Sequence, residues 1–417
     1  MIAVLESENT SIDMDKNEKK RVMKPALTID ILEQKLKEKN IDIRLNLITH
    51  EITYSGLASR YNPESSISDL SVILHNDLKT KYSQCSKDTV MDYLKVLAGM
   101  HRYNPVLDYL TSLVWDGKDY LEDFYDVLGI KENDSLSRTL IQKWLWQCVA
   151  LAQNDLKHPF GAGGVLVLNG AQGIGKTTVG HVLGTKHGFF TEGMYIDKQD
   201  KDTARRCISN WIVELGEIET TFRSDLERLK AFITAPIDIY RLPYVRSDEK
   251  TVRKTSIIAT CNTADFLIDP TGSRRFWTVP IDSIDLERLR QFDIDGLWAQ
   301  IYMEVNTHPD GLQCFRLTRL EQFQLKVRNL EHERPIPAET EIRDILDDSQ
   351  TNYSCYTMKE ITVSEWKEYY ASLSKYSAQQ IGKVLKKMGY EQSSGRTNGR
   401  TYQLPIPSRL TGQYRTG

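Results

Sequence analysis

The sequence predicts an α/β protein: a largely parallel sheet layered with helices, a mostly helical region before it and a small basic module of helix and hairpin after it. Three observations predict this. First, the apolar run Val165–Leu168 has strand length, ends in the glycine-rich 170-GAQGIGKTT-178, and is followed by a helical pattern from Lys176. Second, further apolar runs recur at 211–217 (WIVELGE), 254–262 (KTSIIATCN) and 274–281 (RRFWTVPI), some separated by helical stretches. Strands buried on both faces read as continuous rather than alternating apolar runs, which is the habit of parallel sheets. Third, Ser377–Gly389 is a capped helical pattern ending in glycine, followed by two short strand-like segments around Asn398-Gly399.

The chain has 417 residues, enough for two or three domains with cores of their own. Its 54 Lys and Arg against 57 Asp and Glu give a net charge of −3, so it is no bulk polycation, and any contact with phosphate must come from local basic patches. Six cysteines (Cys85, Cys148, Cys207, Cys261, Cys314, Cys355) lie far apart with no CxxC, a pattern of reduced thiols rather than of a disulfide framework or zinc site. No run of about 18 apolar residues occurs, and the acidic start has too short an apolar patch for a signal peptide. A cytoplasmic protein is expected.

Along the chain, residues 1–25 are polar and expected to be disordered. Residues 26–155 read as a helical domain with a hairpin near IDIRLNLITHEITYSG, a cap at Ser86 or Asp88, a turn at Trp115-Asp116-Gly117, and a helix over 142–156. The α/β core is expected over 156–330. The charged, proline-bearing 331–350 reads as a linker, and 351–417 as a separate module.

Gly170, Gly173 and Gly175 with Lys176 and Thr177 satisfy GxxxxGK[ST] between a strand and a helix, the context the motif requires. Glycines let successive backbone N–H groups turn inward around phosphates, and the helix dipole adds attraction for negative charge. ATP with Mg2+ is the expected ligand. Lys176 would reach the outer phosphates, the Thr177 hydroxyl the metal, and Thr178 the same loop's phosphates. A second acidic element is expected at the end of a neighbouring strand, where Glu214 and Glu217 lie in 211-WIVELGEIE-219. One would serve the metal and the other the attacking water. In an extended strand three residues apart means opposite faces, so both can serve only if the chain turns at Gly216. Which takes which role stays open, and Glu219 reads as an exposed carboxylate.

Asn262 ends the strand TSIIATCN and is a candidate to orient the water beside the outer phosphate. Arg274 and Arg275 follow a turn and lead straight into a strand. One of them is a candidate arginine finger, reaching the nucleotide of a neighbouring subunit.

The order GAQGIGKTT, WIVELGE, LKAFIT, YRLPY, ATCN, TGSRRFW resembles the virulence-associated protein E family. These are ATPases of phages and mobile islands related to superfamily III helicases within the AAA+ class. The resemblance covers roughly 90–335, including NPVLDYLTSLVWDG, and is most specific over 165–280. It implies a P-loop AAA+ core in which Lys176 and Thr177 match Walker A, Glu214 and Glu217 the acidic Walker B region, Asn262 the sensor asparagine, and Arg274 and Arg275 the finger region. It also implies a homo-oligomeric ring, usually hexameric, threaded by DNA.

Between the acidic strand and the asparagine strand, 238–254 alternates like a hairpin and carries Arg241, Arg246, Lys250, Arg253 and Lys254 against Asp238, Asp248 and Glu249. In the related helicases a pore hairpin at this place grips single-stranded DNA. Such cations track phosphates without reading sequence. Lys230, Tyr240 and Arg241 are candidates for the same contact or for an inter-subunit carboxylate. In the C-terminal module Ile381, Val384, Leu385 and Met388 form an apolar face with Gln380, Lys383 and Lys387 off it, and Arg396 and Arg400 flank the hairpin turn. Helix then basic hairpin is the pattern of a winged helix on duplex DNA. From 351 to 417 there are 10 Lys and Arg against 4 Asp and Glu, a local +6.

A DNA helicase or translocase acting in replication of a phage or mobile element is the function these features favour. The alternative is a nucleotide-gated DNA-binding initiator or regulator that does not unwind. A small-molecule kinase would need an acceptor pocket and lid that no segment suggests. Asp293 and Asp295 are a candidate acidic pair for priming but read as lying in a connecting segment, so priming, where needed, falls to a separate primase or host replication protein. No membrane partner is expected.

Overall fold

The structure, a computed structural model, describes residues 24–56, 66–184, 188–194, 206–216, 229–240, 249–263, 266–267, 273–332, 337–391, 393–394 and 400–408. The segment 1–23 lies outside them. The chain forms two compact units dividing between Asp108 and Tyr109.

The first unit contains α1 (Ile29–Glu38), β1 (Asp42–Asn46), β2 (Ile52–Ser55), α2 (Ile67–Leu78), α3 (Lys87–Met100) and β3 (Arg102–Tyr103). Side-chain oxygens start its helices. Thr28 caps α1, Ser66 and Asp69 form a reciprocal capping box on α2, and Ser86 caps α3, each satisfying N–H groups the helix leaves unpaired. The expected hairpin is β1 with β2, in register Asp42↔Ser55. β3, too short to leave a strand pattern in the sequence, pairs parallel to β1, giving the order β2-β1-β3. Leu32, Leu36, Leu70, Leu74, Leu94 and Leu97 make the core. α4 (Pro105–Ser112) runs across the division between the units.

The second unit opens with α5 (Tyr120–Val127) and α6 (Ser135–Ala152), then β4 (Val165–Asn169), α7 (Lys176–Gly184), β5 (Phe190–Met194), β6 (Ile212–Leu215), β7 (Ile237–Tyr240), β8 (Glu249–Val252), β9 (Ser256–Cys261) and β10 (Phe276–Pro280). α8 (Leu286–Arg290), α9 (Ile294–Thr307) and α10 (Arg319–Leu330) follow. β4, β5, β6, β9 and β10 form a sheet in the order β10-β4-β9-β6-β5, parallel at every pairing. β4 and β6 are buried almost throughout, which explains their unbroken apolar sequences.

α6 explains why the division falls at 108 rather than at 155. The helix starts seven residues before the expected 142, where Asp134 caps it through the Ser137 N–H, and it is buried nearly all round. Trp144 donates to the Ile257 carbonyl of β9 at 2.8 Å, and Trp211 donates back to the Cys148 carbonyl at 2.9 Å. Gln147 accepts from the Gly163 and Gly164 N–H groups and donates to the Gly164 carbonyl at 3.0 Å. A helix so engaged is part of the sheet layer's core, not of the N-terminal region.

A third layer of structure occupies the expected linker. Pro337–Thr351 is helix α11, and its Ala338, Ile342 and Leu346 share a core with the C-terminal elements. Those are β11 (Tyr356–Thr362), α12 (Val363–Glu368), α13 (Ala378–Lys387), β12 (Ser393–Ser394) and β13 (Arg400–Pro407), with the antiparallel strand order β11-β13-β12. The linker reading is corrected here, because charges on the outer face of an amphipathic helix give the same composition as a solvated connector. Asp293 and Asp295 likewise do not lie in a connector. Asp293 caps α9, and Asp295 in its first turn accepts from the Tyr109 hydroxyl at 2.7 Å. The six cysteines form no disulfide. Among the described residues no helix is long and apolar enough to cross a membrane.

Gln147→Leu keeps the side-chain volume but strands two N–H groups and a carbonyl in the core. It is expected to destabilise the second unit by roughly 2–4 kcal/mol. Thermal unfolding followed by tryptophan fluorescence measures it, and an unchanged midpoint would contradict the buried-contact account of α6.

Candidate functional site

In a parallel sheet every strand ends at the same edge, and here that edge collects the loop after β4, the end of β6 and the end of β9. β4 delivers the chain to Gly170, whose N–H donates to the Cys261 carbonyl at 3.1 Å, tying the loop to β9. A Cβ on Gly170 would stand 2.2 Å from the Ile281 carbonyl oxygen, so only glycine passes there. Gly173 and Gly175 have φ of +84° and +97°, the left-handed region that glycine enters freely. α7 then begins at Lys176.

Lys176 is buried, 6% exposed, and its ammonium donates to Gly170 O at 2.8 Å, Ala171 O at 2.6 Å and Asn262 Oδ1 at 2.9 Å. A charge removed from water needs such partners. Glu214 of β6 is 3% exposed, and its Oε1 accepts from the Thr177 hydroxyl at 2.8 Å and the Thr260 hydroxyl at 3.0 Å. The sheet order explains the convergence. β9 lies between β4 and β6, so Asn262 meets the loop on one side while Thr260 meets Glu214 on the other. Thr178 follows in α7, half-buried. Glu217 and Glu219 lie outside the described residues.

Thr260 is the residue sequence reading missed. A signal existed: Thr260 is a polar residue near the end of an apolar strand run, two before Asn262.

Arg274 and Arg275 lie elsewhere. They form a 3-10 turn directly before β10, whose Phe276 pairs with Val165 at the start of β4. The pair is therefore at the opposite edge of the sheet, about five residues or 17 Å of strand from the loop. Arg274 is exposed and Arg275 half-buried. With Arg316, Gly161 and Thr234 they line an open cavity of about 340 Å³.

β7 and β8 pair antiparallel as the hairpin expected over 238–254, with Ile239 opposite Lys250, both exposed. Arg241 and Arg246 lie outside the described residues, as does the Tyr240 side chain. Three cations expected on this surface are instead buried. Arg253 is 1% exposed, bonded through Nε to Asp238 Oδ2 at 2.6 Å and stacked over the Phe232 ring. Breaking such a buried pair costs about 3–5 kcal/mol, more than an exposed phosphate contact returns. Lys254 donates to Ala152 O at 3.1 Å and Asn154 O at 2.6 Å, and burial pushes its pKa down to about 8. Lys230 is 5% exposed and cannot meet a polymer without unpacking its surroundings.

In the C-terminal elements Lys383 and Lys386 are exposed on α13, which Ser377 and Gln380 cap as a box. Lys387 pairs with Glu339 of α11 at 3.0 Å and so braces two helices. Arg396 lies outside the described residues. Arg400 opens β13, with its side chain outside them.

Fold and site thus define an α/β protein whose glycine loop, lysine and buried glutamate share one edge of a parallel sheet. The virulence-associated protein E-like domain matches residues 110–333, more than half of the chain, and the chain belongs to that family. No curated protein matches it. Among solved structures it is similar to the apo C-terminal region of NrS-1, with 12% identity, TM-score 0.47, and 90% of this chain and 98% of that one covered. A second structure of that region gives 13% identity, TM-score 0.48 and the same coverage. SCCmec type IV Cch, described as an active helicase, gives 12% identity, TM-score 0.36 and 70% of each chain.

The Lys254 pKa falls from 10.5 to about 8 on folding, so between those pH values the unfolded chain binds more protons. Stability contributed by this position is therefore expected to rise from pH 8 to 10.5. Comparing unfolding midpoints of wild type and Lys254→Met across that window isolates the effect; parallel pH profiles would refute it.

Proposed function

We propose that this chain is an ATP-dependent DNA helicase or translocase that acts as an oligomeric ring in the replication of a phage or other mobile element. The observation that carries this reading is the meeting of Lys176, Thr177, Glu214 and Asn262 where β4, β6 and β9 end. Family membership supports it.

In this reading 170–178 is a P-loop of AAA+ type, and its backbone N–H groups with the Lys176 ammonium hold the phosphate chain. Lys176 already gathers three oxygens, and phosphate oxygens would exchange for some of them. The Thr177 hydroxyl and Glu214 carboxylate offer hard oxygen donors of the kind Mg2+ takes, completed by water and phosphate. Bound there, the metal would neutralise charge on the transferring phosphoryl group. Asn262 orients the attacking water and Glu217 accepts its proton. The Arg274-Arg275 edge faces away from its own loop, so the pair would serve the nucleotide of the next subunit.

Single-stranded DNA would meet the hairpin at Lys250, with Arg241, Arg246 and Tyr240 as further contacts of the same segment. The order α11, β11, α12, α13 and the β12–β13 hairpin supports a winged helix that meets duplex DNA through Lys383, Arg396 and Arg400.

Lys176→Ala is expected to abolish DNA-stimulated ATP hydrolysis, measured as phosphate release. Wild-type chain that releases no phosphate with any DNA would sink the reading. A forked-duplex assay separates it from the regulator alternative, which hydrolyses or binds ATP but leaves the fork intact. Mixing Lys176→Ala with Arg274→Ala/Arg275→Ala chains is expected to restore part of the activity, because each lacks a different half of a shared site. Mixtures as inactive as their components would place the arginines outside the reaction.

A further inference from the structure

Thr260 contacts Glu214 yet has no part in the reaction just described. We propose that Thr260 is a positioning residue: its hydroxyl holds the Glu214 carboxylate in the orientation needed to serve the metal. The proposal rests on the ATPase reading of this site.

Glu214 is 3% exposed, so its carboxylate has lost most of its water and depends on donors from the protein. Two hydroxyls supply them, and both go to Oε1: Thr177 at 2.8 Å and Thr260 at 3.0 Å. Among the described residues Oε2 accepts no hydrogen bond, so both donors hold the carboxylate by one oxygen. A carboxylate anchored at one oxygen by two donors can rotate little about its terminal bond.

The two anchors differ in what carries them. Thr177 sits at the head of α7, next to the glycine loop, and its oxygen is the one a metal would claim. Thr260 belongs to β9, which is paired on both sides, to β4 and to β6. Its register is set by that ladder: Ala259 opposes Leu215 and Ile258 opposes Glu214, so Thr260 lies just beyond the glutamate. Threonine is β-branched and stiff at χ1, which fixes the direction of the hydroxyl. If Thr177 gave its oxygen to a bound metal, Thr260 would still hold Oε1 from a strand paired on both sides.

The test uses the full chain with two variants. Thr260→Val keeps shape and loses the donor, while Thr260→Ser keeps the donor and loses a methyl. Binding of a fluorescent ATP analogue is measured without Mg2+ and along a Mg2+ titration, and hydrolysis is followed along the same titration. In Thr260→Val the metal-free affinity should match wild type, while half-saturating Mg2+ rises about ten- to a hundredfold. kcat should fall with KM for ATP unchanged, and Thr260→Ser should restore both. Wild-type Mg2+ dependence in Thr260→Val overturns the proposal. So does equal impairment of the two variants, or loss of metal-free binding, because either outcome would mean packing rather than orientation. If wild type binds the analogue and hydrolyses nothing, the ATPase reading fails on its own, and the Mg2+ shift in binding still decides Thr260.

Discussion

The glycine-loop site depends on five strands running the same way. A parallel sheet has two chemically different edges, and the strand order decides which residues share one. With β9 inserted between β4 and β6, the end of β9 can touch both the loop after β4 and the carboxylate on β6. An antiparallel pairing would send Asn262 or Glu214 to the far edge and leave Lys176 without its third oxygen. Trp144 and Gln147 of α6 lock the layer from outside by bonding to backbone groups of β9 and of the segment entering β4.

The same polarity separates cations by role. Lys176 is at one edge and the Arg274-Arg275 turn at the other, with the length of β10 between them. No side chain bridges that span, so within one chain the two cannot act on one phosphate. That separation is what the proposed ring answers: in it, the arginines would meet a nucleotide held by another subunit.

Charge in the sequence is a poor guide to charge at the surface. Arg253, Lys254 and Lys230 lie with Lys250 in one basic stretch, yet of these four only Lys250 is exposed. Arg253 is spent on Asp238 across the base of the hairpin, and Lys254 on two carbonyls at the C-terminal end of α6. Lys387 is similarly taken by Glu339, a residue assigned from sequence to a linker. Each is fixed by a partner more than ten positions away, which a local pattern does not record.

What the sequence determined by itself were features of short range. The apolar runs at 165–168, 212–215, 256–261 and 276–280 are strands, the glycine loop sits between strand and helix, and Ser86 and Ser377 start helices. These follow from side-chain periodicity, cap chemistry and glycine's access to positive φ, all set within a few residues. Only the tertiary structure decided the strand order, the place of α6 and α11 in their cores, the burial of Arg253 and Lys254, and the meeting of Thr260 with Glu214. Those depend on contacts between residues far apart in sequence, 46 positions for Thr260–Glu214 and 113 for Trp144–Ile257. Burial and pairing at that range arise from packing whole elements together, and no stretch of chain carries them alone.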